Sequence, residues 1–332
     1  MRALTVVEPG NVQLQERNQP EAHQGDVVIR PVVVGVCGTD LDIIDGTIDP
    51  DFVNYPIVIG HEWAGEITHG NDLLPHGSRV VVEGVVACGT CAECSRGATN
   101  RCAVYDEYGF TRDGAAMESV GAHPELVHLI GDKVTWESAA LTEPSAVVLR
   151  ALQRIAPEQG EQVLIVGDGT IALIAALLVR QWNPTSVTML GARDEQRDLA
   201  ARAGVDLFTT NPDDTAAGYS LIIDAAGAIV ATTTALSRAS RGGRIVLLGY
   251  PGQGKAAPLP VDDVINGDLL ILGSFSYTRS AWADVVSLLN SGTFDPGFLV
   301  THRFSLDEYE SAIAALRKPV GARGKVLLEV GR

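Results

Sequence analysis

The chain has 332 residues, enough for two domains that each bury a sizeable core. With 46% hydrophobic and 20% charged residues, and 35 glycines that punctuate apolar runs, the composition fits a mixed α/β globular protein and excludes disorder or collagen-like repeats. The net charge of −16 repels phosphate backbones and anionic headgroups, which excludes nucleic acid and membrane surfaces as partners. Residues 1–17 alternate polar and apolar side chains, and the longest apolar run, Ile171 to Val179, is too short to span a bilayer. A cytoplasmic protein is expected. Five cysteines in a reducing compartment argue for metal rather than a disulfide framework.

From the N-terminus the chain reads as short strands broken by Gly, Pro, Asn and Asp: Val27 to Val34, Gly65 to Ile67, Arg79 to Glu83 and Leu126 to Leu129. Near Ser145 the periodicity changes. Strands at Gln162 to Val166, Ser186 to Leu190, Leu207 to Thr210, Leu221 to Asp224, Arg244 to Leu248 and Leu269 to Ser274 alternate with helical segments such as Thr170 to Trp182 and Asp194 to Ala203. That rhythm predicts a doubly wound parallel sheet. Helical segments at Trp282 to Asn290 and Leu306 to Leu316 and a strand at Lys325 to Val330 follow, as though the chain returns to its first domain. The expected division is therefore 1–146 with 280–332 as a β-rich domain and 147–279 as a dinucleotide-binding domain.

Cys88, Cys91, Cys94 and Cys102 form C-x2-C-x2-C-x7-C, and four thiolates from one loop suit a closed tetrahedral zinc site. A closed site has no open position for substrate, so its role is structural: it staples a loop with little apolar content. An iron–sulfur cluster is the other chemistry open to four thiolates. Cys37 in Gly-Val-Cys-Gly-Thr-Asp, His61 and Glu62 in Gly-His-Glu, and Glu143 in Leu-Thr-Glu-Pro offer a second, mixed set of sulfur, nitrogen and carboxylate oxygen. Such a set suits a zinc ion with a position left for water or substrate, provided that the fold brings the segments together. Taken singly, a free cysteine is more often a small buried hydrophobe, and a lone His-Glu pair is more often structural.

The segment Val163-Leu-Ile-Val-Gly167-Asp-Gly169-Thr170-Ile171-Ala172 places a G-x-G-x-x-A turn between an apolar strand and a helix. In that context the glycines allow a tight turn and close backbone approach, and the helix N-terminus receives a pyrophosphate. The next strand ends in Gly191-Ala192-Arg193, where NAD-binding domains carry an acid for the ribose 2′-hydroxyl. Loss of the acid and gain of Arg193 favour NADP over NAD. Alternatively, Arg193 is a solvated residue at a helix start and Asp194 reaches the ribose of NAD.

Taken in order, the Cys-Gly-Thr-Asp, Gly-His-Glu, four-cysteine, Glu-Pro and glycine motifs resemble the zinc-dependent medium-chain dehydrogenase/reductases, over essentially the whole chain. The resemblance implies a GroES-like β-rich catalytic domain plus a Rossmann domain, an NAD(P)-dependent oxidoreductase activity on an alcohol or ketone, and two zinc ions per chain, one catalytic and one structural. It implies catalytic zinc on Cys37, His61 and Glu62, with Glu143 a fourth ligand or a partner of the bound water. Asp40 takes the place of a carboxylate that orients the zinc histidine. Thr39 takes that of the hydroxyl that bonds the substrate oxygen. Where many relatives continue the proton relay with histidine this chain has Asp42, so Asp42, Glu143 or ordered water is expected to carry the proton.

The carboxylate-rich set resembles the sorbitol, threonine and cyclitol dehydrogenase branch, and Trp63 and Gly273-Ser-Phe-Ser-Tyr-Thr278 resemble inosamine and related cyclitol dehydrogenases. A secondary alcohol of the polyol, cyclitol or aminocyclitol type is the expected substrate, to which Asp42, Asp45 and Asp106 could contribute. A hydroxy-amino acid such as threonine is the alternative. A zinc-ribbon module that senses redox state or nucleotide is the alternative of another class. Homodimers or homotetramers joined through Rossmann edge strands near Leu269 to Phe275 are implied. The histidines at 23, 69, 76, 123, 128 and 302 lack ligand spacing and are expected to be structural.

Overall fold

A computed structural model describes residues 1–19 and 25–331, so His23 lies outside the described residues. The chain divides into two compact units, Met1–Ala146 with Tyr277–Arg332 and Val147–Ser276.

In the first unit, Val27–Val36 is the central strand: its first half alternates buried and half-buried positions, and Val33 to Val36 are buried throughout, where only apolar or small residues fit. It pairs antiparallel with Glu62–His69 on one side and with Lys325–Glu329 on the other. The latter strand comes from the last residues of the chain, and the parallel neighbour Val300–Ser305 extends the sheet beyond it. Arg79–Val82 and Val127–Leu129 complete the opposite side. A three-stranded sheet of Asn11–Glu16, Arg2–Glu8 and Ile57–Val58 packs into the same core, which includes Leu4, Ile29, Val34, Ile43, Ile67, Val80 and Leu328. Burial of such side chains contributes about 1.5–3 kcal/mol each and holds the loops that bear the site.

The second unit is a six-stranded, all-parallel sheet in the order Leu207–Thr209, Ser186–Leu190, Gln162–Val166, Tyr219–Asp224, Ala239–Leu247, Leu270–Gly273. Numbered along the chain this is 3-2-1-4-5-6, the Rossmann order, in which the topology reverses beside the first strand and opens a crevice at the strand C-termini. Helix Thr170–Val179 follows that first strand and buries Ala172 to Ala176, Leu178 and Val179, which explains its apolar surface all round. No described helix is long and apolar enough to cross a membrane.

The second and third strands of this sheet are tied by Asp206, whose carboxylate accepts from Val187 N–H at 2.7 Å and from Arg180 Nη2 at 2.7 Å. Burial opposes ionisation of Asp206, but the Val187 and Arg180 donors outweigh it and lower its pKa. A depressed carboxylate stabilises the fold above its unfolded pKa of about 4, and that stabilisation is lost as pH falls through the folded value. Asp206→Asn is expected to lower stability most at neutral pH, with the deficit closing below about pH 4. Urea unfolding of both proteins at pH 7 and pH 3.5 measures this; a deficit independent of pH contradicts it.

Candidate active site

Cys37 ends the central strand of the first unit and caps helix Gly38–Asp45. Its thiol accepts from Thr39 N–H at 3.3 Å, while the Asp40 carboxylate reaches back to Cys37 N–H at 2.8 Å, closing a reciprocal capping box. Asp40 is fully buried, and its other oxygen faces His61 Nδ1 at 3.5 Å. One carboxylate therefore fixes the backbone of the cysteine and the ring of the histidine. The remaining ring nitrogen, His61 Nε2, lies 3.2 Å from Cys37 Sγ.

His61 is delivered by a turn at Gly60, which has φ +101° and no space for a side chain: a Cβ there would meet Val34 Cγ1 at 2.6 Å. Glu62 opens the next strand directly opposite Gly35. A side chain at 35 would collide with the Glu62 carboxylate, so this in-strand glycine exists to admit the acid. Potential ligand atoms of Cys37, His61 and Glu62 all lie within 4.8 Å of one another.

Glu62 also forms an ion pair with Lys325 Nζ, both side chains being 3% exposed. Burial would depress the lysine, yet the charges of Glu62 and Cys37 hold its pKa above the usual value. Burial likewise opposes a charged His61, and Cys37 and Asp40 override it, raising its pKa well above normal. The pocket thus favours positive charge at its centre. Glu143, in the first turn of helix Thr142–Ile155, responds in the opposite sense: burial, then repulsion from Glu62, pushes it up to about 8. Buried Glu107 is raised as well, by burial above all. The thiol of Cys37, the imidazole of His61 and the carboxylate of Glu62 form a donor set that a divalent cation of the zinc type fits, and Glu143 is not among that group.

The four-cysteine loop forms the second cluster, with its four sulfur atoms within 4.8 Å of one another. Cys88 N–H donates to Cys102 Sγ at 3.2 Å and Cys94 N–H to Cys91 Sγ at 3.5 Å. Backbone donors, Thr90 foremost and then Cys91, pull Cys88 down to about 6, whereas burial and the neighbouring thiols push Cys94 up to about 12. One thiolate forms readily and the next is opposed, which is the imbalance that a cation among four sulfurs removes.

In the second unit Gly167 has φ +117°, and a Cβ there would press on the Ala225–Ala226 backbone at 3.0 Å. Gly169, which has no side chain, is the N-cap of helix Thr170–Val179, so the helix N-terminus that Thr170 and Ile171 begin carries no side-chain cap. Gly191, Ala192 and Arg193 lie at the end of the neighbouring strand. Arg193 is half-buried and ion-paired: its Nη2 donates to Asp168 Oδ1 at 2.6 Å.

Of the other expected residues, half-buried Thr39 stays with the Cys37 group through its N–H. Asp42 is exposed on the same helix, and its carboxylate accepts from Thr47 Oγ1 at 3.1 Å. Asp45 pairs with Arg317 and Asp106 with Arg112, each at 2.8 Å, so neither offers a free acid to substrate. Trp63 is 1% exposed and belongs to the core. His128 bonds buried Glu83 at 2.8 Å, a structural arrangement. Lys325, Glu107 and Tyr277 escaped sequence reasoning. Lys325 had no distinguishing pattern, whereas the glycine inside the strand at 35 was a signal for a close approach.

A GroES-like unit with a buried Cys-His-Glu cluster and a four-thiol loop, joined to a Rossmann unit, defines a zinc-type alcohol dehydrogenase. Residues 23–132 match the alcohol dehydrogenase GroES-like domain family and residues 170–291 the zinc-binding dehydrogenase family. The L-threonine 3-dehydrogenase of Streptomyces avermitilis is 31% identical, covering 99% of this chain and 99% of that protein. Sorbitol dehydrogenase of Bacillus subtilis is 27% identical, covering 94% of this chain and 92% of its own. The rspB alcohol dehydrogenase of E. coli CFT073, solved with NADH, superposes with a TM-score of 0.91 at 27% identity over 99% of both chains. The chain belongs to the zinc-dependent medium-chain dehydrogenases, NAD(P)-dependent oxidoreductases, in their polyol and threonine dehydrogenase branch.

Tyr277 supports the buried acids from behind, its hydroxyl oxygen accepting Gly84 N–H at 2.7 Å and Val85 N–H at 3.2 Å. Burial, then the negative field of Glu107 and Glu143, keeps this phenol protonated. Tyr277→Phe strands two buried N–H groups and is expected to cost roughly 2–3 kcal/mol in chemical denaturation. A loss below about 0.5 kcal/mol contradicts that role.

Proposed function

We propose that the protein oxidises a secondary alcohol of the polyol or cyclitol class, or reduces the matching ketone, with zinc bound by Cys37, His61 and Glu62 and with NAD(P) on the Gly167–Gly169 turn. The convergence of those three side chains, with Asp40 in contact with the first two, is the observation that carries the proposal. When bound, zinc supplies Lewis acidity toward the substrate oxygen, and nicotinamide supplies the hydride acceptor or donor.

The chain's own residues supply the rest. Asp40 holds His61 in one orientation and raises its basicity as a ligand. Lys325 balances the charge of Glu62, so that a buried acid beside a thiolate is tolerated. Glu143, in the first turn of its helix, is the further carboxylate that serves as acid or base at the site edge. Thr39, two residues from Cys37, offers a hydroxyl that bonds the substrate oxygen and passes its proton on. Four thiolates, Cys88, Cys91, Cys94 and Cys102, hold a second, structural zinc. The choice between NADP and NAD turns on Arg193 and its partner Asp168.

A hydroxy-amino acid is the second substrate class, favoured by the 31% identity to an L-threonine 3-dehydrogenase. We also propose a cytoplasmic homodimer or homotetramer, since strand Leu270–Gly273 forms a sheet edge with Leu270 49% and neighbouring Phe275 40% exposed. A screen of polyols, cyclitols, aminocyclitols and hydroxy-amino acids, followed by reduced-nicotinamide absorbance, identifies the class. No turnover with any of them by zinc-loaded protein overturns the proposal.

Metal analysis separates the two clusters. Cys37→Ser is expected to abolish turnover and retain one zinc per chain, whereas Cys94→Ser is expected to lose the other zinc and lower the melting temperature. Unchanged metal content in either variant removes that cluster from the assignment. Asp40→Asn is expected to weaken zinc at the Cys37 site by about 10- to 100-fold in a chelator competition, with the four-cysteine zinc unaffected. Equal affinity in variant and parent removes Asp40 from metal support.

A further inference from the structure

Asp168 stands between the two glycines of the dinucleotide turn and is only 7% exposed. Its Oδ2 accepts from Ala192 N–H at 2.8 Å and Arg193 N–H at 3.0 Å, and its Oδ1 from Arg193 Nη2 at 2.6 Å. Two adjacent main-chain donors and one guanidinium thus converge on an anion at the end of the second Rossmann strand. They are the kinds of donor that clasp a phosphate, and here they clasp a carboxylate of the chain itself. Arg193 Nη1, also buried, has no hydrogen-bond partner among the described residues.

The strand end has no room for its own acid. A Cβ on Gly191 would meet the Phe208 ring at 2.7 Å and Asp168 Cβ at 3.0 Å. The negative charge that NAD-binding domains place on the strand is therefore supplied from the glycine turn, across a gap that only glycine leaves open.

We propose that Asp168 is a specificity-determining residue whose carboxylate fills the cradle a 2′-phosphate would need, so that the site takes NAD and rejects NADP. The proposal rests on the assignment of this unit as a nicotinamide dinucleotide site. Against a 2′-phosphate, Asp168 acts twice: it repels the incoming charge, and its displacement from Arg193 leaves a buried carboxylate without its partner. A neutral 2′-hydroxyl meets neither penalty and can donate to the acceptor capacity left on the carboxylate. Arg193, which by sequence favours NADP, is thereby neutralised.

Titration of NADH and NADPH fluorescence against the full-length protein tests this without turnover or catalytic metal. The parent is expected to bind NADH at least about tenfold more tightly than NADPH. Asp168→Asn is expected to improve NADPH binding by about 10- to 100-fold and to weaken NADH, so that the preference reverses. The double variant Asp168→Asn/Arg193→Ala is expected to lose that gain, since the freed guanidinium supplies it. If Asp168→Asn does not fold, the parent protein still decides, through competition between ADP-ribose and its 2′-phosphorylated analogue. A parent that prefers the phosphorylated ligand, or an Asp168→Asn variant that weakens both cofactors equally, overturns the proposal. Failure of the parent to bind either cofactor overturns instead the dinucleotide assignment beneath it.

Discussion

The catalytic unit is organised around the buried Asp40 carboxylate. One of its oxygens accepts the Cys37 N–H at 2.8 Å and the other faces His61 Nδ1 at 3.5 Å, so two potential metal ligands from different segments are referred to one rigid group. A carboxylate with no solvent contact is costly unless its partners are held in place, and here the surrounding sheet holds them. The register that sets Gly35 opposite Glu62 brings the third ligand to the same point, and the chain's final strand brings Lys325 to neutralise it. Loss of any one of these contacts exposes the others to an unpaired buried charge.

Burial and charge work against each other throughout this pocket. Lys325 and His61 keep raised pKa values despite burial, because Glu62, Cys37 and Asp40 surround them with negative charge. Glu143 gives way, rising to about 8. A doubly charged cation among these donors shifts the balance back toward ionised carboxylates. The four-cysteine loop shows the same imbalance on a smaller scale, with one thiol at about 6 and another at about 12.

The Rossmann unit solves a related problem by moving a charge. The second strand ends in glycine, packed against Phe208 and Asp168, and the acid arrives from the preceding glycine turn instead. Arg193 is consequently part of an internal ion pair, and the same residue type that reads as a phosphate clamp in a linear pattern becomes a counter-ion in three dimensions. The helix after Gly169 begins without a side-chain cap.

By itself the amino-acid sequence determined the alternation that makes the six-stranded parallel sheet, the glycine turn, the four-cysteine spacing and the separate Cys37, His61 and Glu62 motifs. Those features depend on local periodicity and spacing, which are legible along a chain. The tertiary structure alone decided that Lys325 pairs with Glu62, that Tyr277 caps two buried N–H groups near the acids, that Asp42 stays at the surface, and that Asp168 rather than solvent receives Arg193. Each of these depends on strand register and chain return between residues far apart or on adjacent strands. Ion pairs and hydrogen bonds act over a few ångströms of space, so their partners become definite only once the backbone has folded.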